Sequence, residues 1–102
     1  PTAVQLASFE VQPDNNGGLE LSWVTLVEYN TLGYRLARTS QDGLTLDLFE
    51  GVLPAEGDGQ RPQRYSFTDY GPWEGDAFTY HLIEVDLDGN ESIIADLEVW
   101  LQ

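Results

Sequence analysis

Four kinds of side chain in these 102 residues could carry chemistry: one histidine, four arginines, eighteen carboxylates and three tryptophans. Cysteine is absent, so there is no thiolate nucleophile, disulfide framework, Fe–S cluster or thiolate zinc site. His81 falls mid-strand on the side opposite the inward residues and reads as a bystander. No serine has the strand-to-helix elbow of a hydrolase nucleophile. Carboxylate pairs are plentiful enough for a two-carboxylate glycosidase by residue type, but charge runs of this kind ordinarily line a solvated face. No catalytic residue is assigned. Asp86-Leu87-Asp88-Gly89-Asn90-Glu91 places oxygen ligands at every second residue, which suits a hard cation. Asp86, Asp88 and Asn90 are therefore calcium candidates. The loop lacks a third aspartate and a glutamate at the twelfth position, and a plain hairpin turn explains it without metal, so no cofactor is required.

The tryptophans divide by context. Trp23 lies in an alternating apolar segment and is assigned to the core. Trp73, in Gly71-Pro72-Trp73-Glu74-Gly75, and Trp100 are candidates for exposure, and exposed tryptophans stack on sugars or anchor interfaces. The alternative for Trp73 is a cap on the end of the fold. Ile94 and Val24 add apolar area at outward positions. Trp73, Trp100 and Ile94 thus form a candidate interaction surface, for an adjacent domain or subunit or for carbohydrate.

These side chains must be positioned by short elements. Ten glycines and five prolines cut the chain, and the longest stretch free of both runs from Leu19 to Leu32. Between the breaks the pattern has period two. Leu19, Leu21 and Trp23 alternate with Glu20, Ser22 and Val24; Tyr34 and Leu36 with Arg35 and Ala37. Tyr65, Phe67 and Asp69 alternate with Ser66 and Thr68, and Phe78, Tyr80 and Leu82 with Thr79, His81 and Ile83. The last segment is ambiguous. A helix would align Ile93, Ile94, Leu97, Trp100 and Leu101; a strand places Ile93, Ala95, Leu97, Val99 and Leu101 inward. Asp88-Gly89 upstream suits a two-residue hairpin turn, which favours the strand. Turns are also expected at Asp14–Gly18 and Gln41–Gly43, with a polar loop from Pro54 to Pro62. Seven short strands at this spacing predict one all-β domain over 1–102, a sandwich.

A net charge of −14 with no lysine repels phosphate backbones and excludes nucleic acid as a partner. No apolar run reaches the ~18–20 residues of a membrane span and no signal peptide is read, so direct membrane insertion is not expected. The chain begins on Pro1 and not on Met, which reads as a mature or excised segment.

In order along nearly the whole chain, Ala3-Val4-Gln5-Leu6-Ala7-Ser8-Phe9, Trp23-Val24-Thr25, Glu28-Tyr29-Asn30, Gly33-Tyr34-Arg35-Leu36-Ala37-Arg38, Tyr65-Ser66-Phe67-Thr68-Asp69 and the run from Tyr80 to Gly89 resemble a fibronectin type III module. The likeness is to those near the C-termini of large secreted bacterial proteins. The resemblance implies a seven-stranded antiparallel Greek-key β-sandwich, immunoglobulin-like in architecture. It also implies a non-catalytic role in spacing, assembly or attachment at the cell surface or outside the cell. Phe78 stands where such modules carry the tyrosine of the tyrosine corner, and there is no Arg-Gly-Asp tripeptide.

Within such a sandwich the strands holding Tyr34, Leu36, Arg38 and Tyr80, Leu82, Glu84 are neighbours facing inward. An Arg38–carboxylate pair is expected to plug the sandwich end, with Glu84 the first candidate and Glu28 the second. Trp23, Tyr34, Tyr80, Arg38 and Glu84 are the expected structural residues.

Overall fold

The computed structural model describes residues 4–57 and 61–101. Ala3 and the middle of the predicted polar loop, residues 58–60, lie outside the described residues. Among those described there are eight strands and no helix: β1 (Gln5–Pro13), β2 (Leu19–Val27), β3 (Thr31–Ser40), β4 (Thr45–Asp47), β5 (Leu53–Pro54), β6 (Gln63–Asp69), β7 (Ala77–Asp86) and β8 (Glu91–Trp100). They form two antiparallel sheets packed face to face. One has the order β1-β2-β6; the other has β4-β3-β7-β8, with β5 pairing on β3 beyond β4.

The period-two pattern explains the core. Leu21, Trp23 and Tyr65 from one sheet meet Tyr34, Leu36, Phe78, Tyr80 and Leu82 from the other, all buried. Tyr34 of the second sheet meets Trp23 edge-on and Tyr65 at 5.1 Å, so aromatic area supplies much of the contact between sheets, while Trp23 stacks on Tyr65 within its own sheet. The segment after β4 closes one side, where Leu48, Phe49, Leu53 and Ala55 lie on the core and Phe49 meets Phe67 at 5.0 Å.

Gly33 is needed for this closure. A Cβ there would collide with the Leu53 carbonyl and the Val52 side chain. Gly33→Ala is expected to cost about 1–3 kcal/mol by forcing β5 off β3, read as a lower urea midpoint with an unchanged m-value.

Three hairpins share one loop design. Asp14, Ser40 and Asp86 each donate their backbone N–H to the carbonyl four residues on, and Gly17, Gly43 and Gly89 take φ of +85°, +90° and +86°. The last turn is therefore a three-residue loop, Leu87-Asp88-Gly89. The two-residue turn read from Asp88-Gly89 is corrected, because Asp88 does not take the positive φ that form requires.

The last strand differs from its alternation in one respect. A register shift opposite Leu82 and Ile83 leaves Ile94 as the extra residue of a β-bulge. A bulge exchanges the faces of the residues on one side of it. Ile94 consequently packs against the core, whereas Ile93, expected inward, is 60 % exposed. Ile94 is thereby removed from the candidate interaction surface.

Candidate functional site

The buried polar groups gather at the two ends of the interior. At one end Asp69, the last residue of β6, accepts four hydrogen bonds. Arg38 Nη1, the Tyr80 hydroxyl (2.6 Å) and Trp73 Nε1 (3.0 Å) reach Oδ2, and the Gly71 N–H reaches Oδ1 at 2.9 Å. Arg38 also donates to the Pro72 carbonyl at 3.0 Å and lies 5.7 Å from the centre of the Phe78 ring. One carboxylate thus ties β6, β3, β7 and the β6–β7 loop together.

The partner of Arg38 is therefore Asp69, not Glu84 or Glu28. The strands β3 and β7 run antiparallel, so Arg38 stands opposite Tyr80 and Glu84 opposite Tyr34, four residues or ~13 Å away. Glu84 is buried at the other end, where it accepts from the Thr31 hydroxyl at 3.0 Å. Phe78 stacks with Trp73, and the Tyr80 hydroxyl makes the polar contact, with a carboxylate.

At the Glu84 end Glu28 is buried among phenols. Its carboxylate accepts from Tyr34, from Tyr65 at 2.8 Å and from the Gly57 N–H at 2.8 Å. Burial first, and then the hydrogen bond to Glu28, push the Tyr34 hydroxyl far above its ordinary pKa. Glu28, Asp69 and Glu84 are buried against one buried cation, so acidic excess extends into the interior.

Burial of Asp69 raises its pKa, but the hydrogen bonds from Tyr80 and Arg38 outweigh that and hold it below the usual 3.8. A carboxylate whose folded pKa is lowered stabilises the fold above its unfolded value and loses that contribution as pH falls toward the folded one. Stability measured by urea is therefore expected to decline below pH ~4. The decline should be shallower in Asp69→Asn, and an identical acid limb in that variant would refute the assignment.

On the outer face of the β3–β7–β8 sheet, Asp96 Oδ1 lies 2.6 Å from His81 Nδ1, and His81 Nε2 lies 2.7 Å from the Thr39 hydroxyl. A carboxylate only accepts, so Nδ1 carries a proton, and Nε2 is the nitrogen that faces the Thr39 hydroxyl. This is the order of an acid–base–nucleophile triad. Thr39, however, pairs with Thr45 on one side and Thr79 on the other, and its hydroxyl is shared with Thr45 at 2.8 Å. Thr39 thus stands between β4 and β7, in a ladder whose backbone groups bond across the strands. The chain clasps three strands.

The calcium candidates are held by the turn. Asp86 Oδ1 accepts from the backbone N–H of Asp88 and of Asn90, both at 2.9 Å. Asp14 does the same toward Asn16 and Gly18, so the geometry is that of an aspartate-capped hairpin. Among the described residues no cluster of three or more His, Cys, Asp or Glu could hold a metal.

Trp73 caps the sandwich end, half-buried between Phe78 and Asp69. Trp100 is 62 % exposed, beside a shallow depression of about 140 Å³ that Thr39, Thr79 and Glu98 also line. Sequence reasoning missed the roles of Asp69 and Thr39. Asp69 stood at the end of the Tyr65–Asp69 segment, where a carboxylate closing an apolar strand was the available signal.

Comparison of the chain with protein families, curated proteins and solved structures finds no match.

Proposed function

We propose that this chain is a non-catalytic module of the fibronectin type III kind, a Greek-key sandwich serving spacing, assembly or attachment in a secreted or cell-surface bacterial protein. The observation that carries the reading is that the polar groups with chemical capacity are consumed in holding strands together. Asp69 and Arg38, Glu28 with Tyr34 and Tyr65, and His81 with Asp96 and Thr39 each satisfy one another. The pairing of β1-β2-β6 against β4-β3-β7-β8 supports the same reading, because it is compatible with the order such modules use. A chain of charge −14 suits a salty exterior, where screening relieves repulsion. The test is a panel of nitrophenyl esters and glycosides incubated with the purified chain. No turnover is expected; turnover abolished by His81→Ala or Thr39→Ala would overturn the reading.

A second reading, carbohydrate binding, is favoured by Trp100 and shifts from Trp73, whose ring is engaged. An exposed indole flanked by Thr39, Thr79 and Glu98 offers a stacking face with hydroxyl and carboxylate partners. Glycan-array binding lost in Trp100→Ala would place this reading first.

A further inference from the structure

Strand β4 forms one edge of its sheet and differs from the other edges in what lies beside it. Leu46 stands in register with Arg38, on the inner side of the sheet, yet is 56 % exposed, and Leu44 is 69 % exposed. The facing sheet ends at β6, so the inner face of β4 is left uncovered there. Between β4 and the β6–β7 loop opens a cleft of about 430 Å³ lined by Leu44, Leu46, Pro72, Arg38, Ser40 and Glu74, among others. Among the described residues the other edges mix apolar with more polar side chains, Ile93 and Trp100 being exposed on β8. Along β8 the side chains of Glu91, Asp96 and Glu98 are exposed, and the cleft beside β1 is lined by Glu10, Gln12, Ser22 and Arg64 together with apolar residues.

The occupant follows from charge and shape. Leucines and a proline form the walls, so an apolar side chain fits. The guanidinium on the floor is already matched by Asp69, and Glu74 stands at the rim. Beside the cleft Asp42 and Asp47 are exposed, Asp47 being ion-paired with Arg35 at 2.9 Å, and the whole chain carries −14 with no lysine. An anionic ligand is repelled, and a basic one is attracted. The backbone of β4 pairs with β3 on one side, leaving the other side able to accept an extended chain.

We propose that β4 is the docking edge for an extended, basic segment of a partner protein. Every second side chain of the added strand is aliphatic and enters the cleft between Leu46 and Pro72. The alternate lysines or arginines lie on the outer face, where Asp47 is shared with Arg35 and the excess of carboxylates over the whole chain supplies the attraction. This inference rests on the attachment reading above and names the chemistry of the partner.

The test titrates the isotopically labelled chain with a short peptide alternating valine and lysine, followed by amide chemical shifts. A peptide alternating serine and lysine, of equal charge, is the control. Shifts are expected at positions 44–47 and 71–74, with the valine peptide binding at least tenfold more tightly than the serine one. Leu44→Ser/Leu46→Ser is expected to abolish that preference. Both leucines are exposed, so an unchanged melting curve verifies that the variant is folded. No binding, equal binding of the two peptides, an unaffected double variant, or shifts centred on β1, β6 or β8 would each overturn the proposal. Self-association that produces the same shifts without peptide would overturn it too, in favour of a second copy. Any of these results, with no turnover in the ester and glycoside panel, leaves the attachment reading standing; turnover removes that reading whatever the peptides do.

Discussion

Arg38→Met is expected to lower the melting temperature by roughly 12–24 °C. Removing one partner of a buried ion pair costs about 3 kcal/mol or more, and each kcal/mol moves a domain of this size by about 4–8 °C. Both side chains of the pair are less than a tenth exposed, so solvent does little to screen the carboxylate left behind. Asp69 would keep Tyr80, Trp73 and Gly71 as donors but would lose its counter-charge. The double variant Arg38→Met/Asp69→Asn separates charge from hydrogen bonding, because the amide oxygen still accepts while the charge is gone. If the loss is an uncompensated carboxylate, the double variant is more stable than Arg38→Met alone. A melting curve unchanged in Arg38→Met would show that the pair contributes nothing.

Glu28→Leu is the second large loss, about 3 kcal/mol, because it leaves two buried phenol hydroxyls and the Gly57 N–H without their acceptor. Glu28→Gln keeps one acceptor oxygen and is expected to cost about half as much. Alkaline titration gives a further readout. Burial raises the Tyr65 hydroxyl, the Glu56 N–H partly opposes this, and the hydrogen bond to Glu28 adds to it, leaving the group pushed up to about 12. A phenol whose folded pKa exceeds the ordinary 10 stabilises the fold below pH 10, and the contribution is lost as pH rises from there through the folded value. The share of tyrosinate absorbance that belongs to the buried phenols is therefore expected to rise together with unfolding above pH 10, and in Glu28→Leu at lower pH than in the parent chain. Absorbance that rises fully while the chain stays folded would refute the burial of these phenols.

The strands were legible because each carries its own alternation: Phe78, Tyr80, Leu82 and Glu84 are buried along β7 while Thr79, His81 and Ile83 are less so. The short β4 and β5 were not, since their pairing depends on where β3 lies and on Gly33 admitting the Leu53 carbonyl. The bulge at Ile94 left no mark in a segment where Ile93, Ile94 and Ala95 are all apolar, so the two faces were exchanged. Arg38 was identified as an interior cation from its place after Tyr34 and Leu36. Its partner was missed because antiparallel direction puts Glu84 at the far end, and because Asp69 belongs to the opposite sheet. Periodicity orders residues along one strand; it carries no information about which end of one sheet faces which end of another.

The three tryptophans occupy three different optical environments. The Trp23 indole touches Tyr34 and Tyr65 in the core, so it will accept excitation energy from both phenols. The Trp73 indole donates to Asp69 and reports the end of the sandwich, whereas Trp100 faces solvent and will emit furthest to the red. The chain therefore carries its own dyes. In a Trp23→Phe/Trp100→Phe background, emission from Trp73 would time the opening of the Asp69 cluster separately from the collapse of far-ultraviolet dichroism.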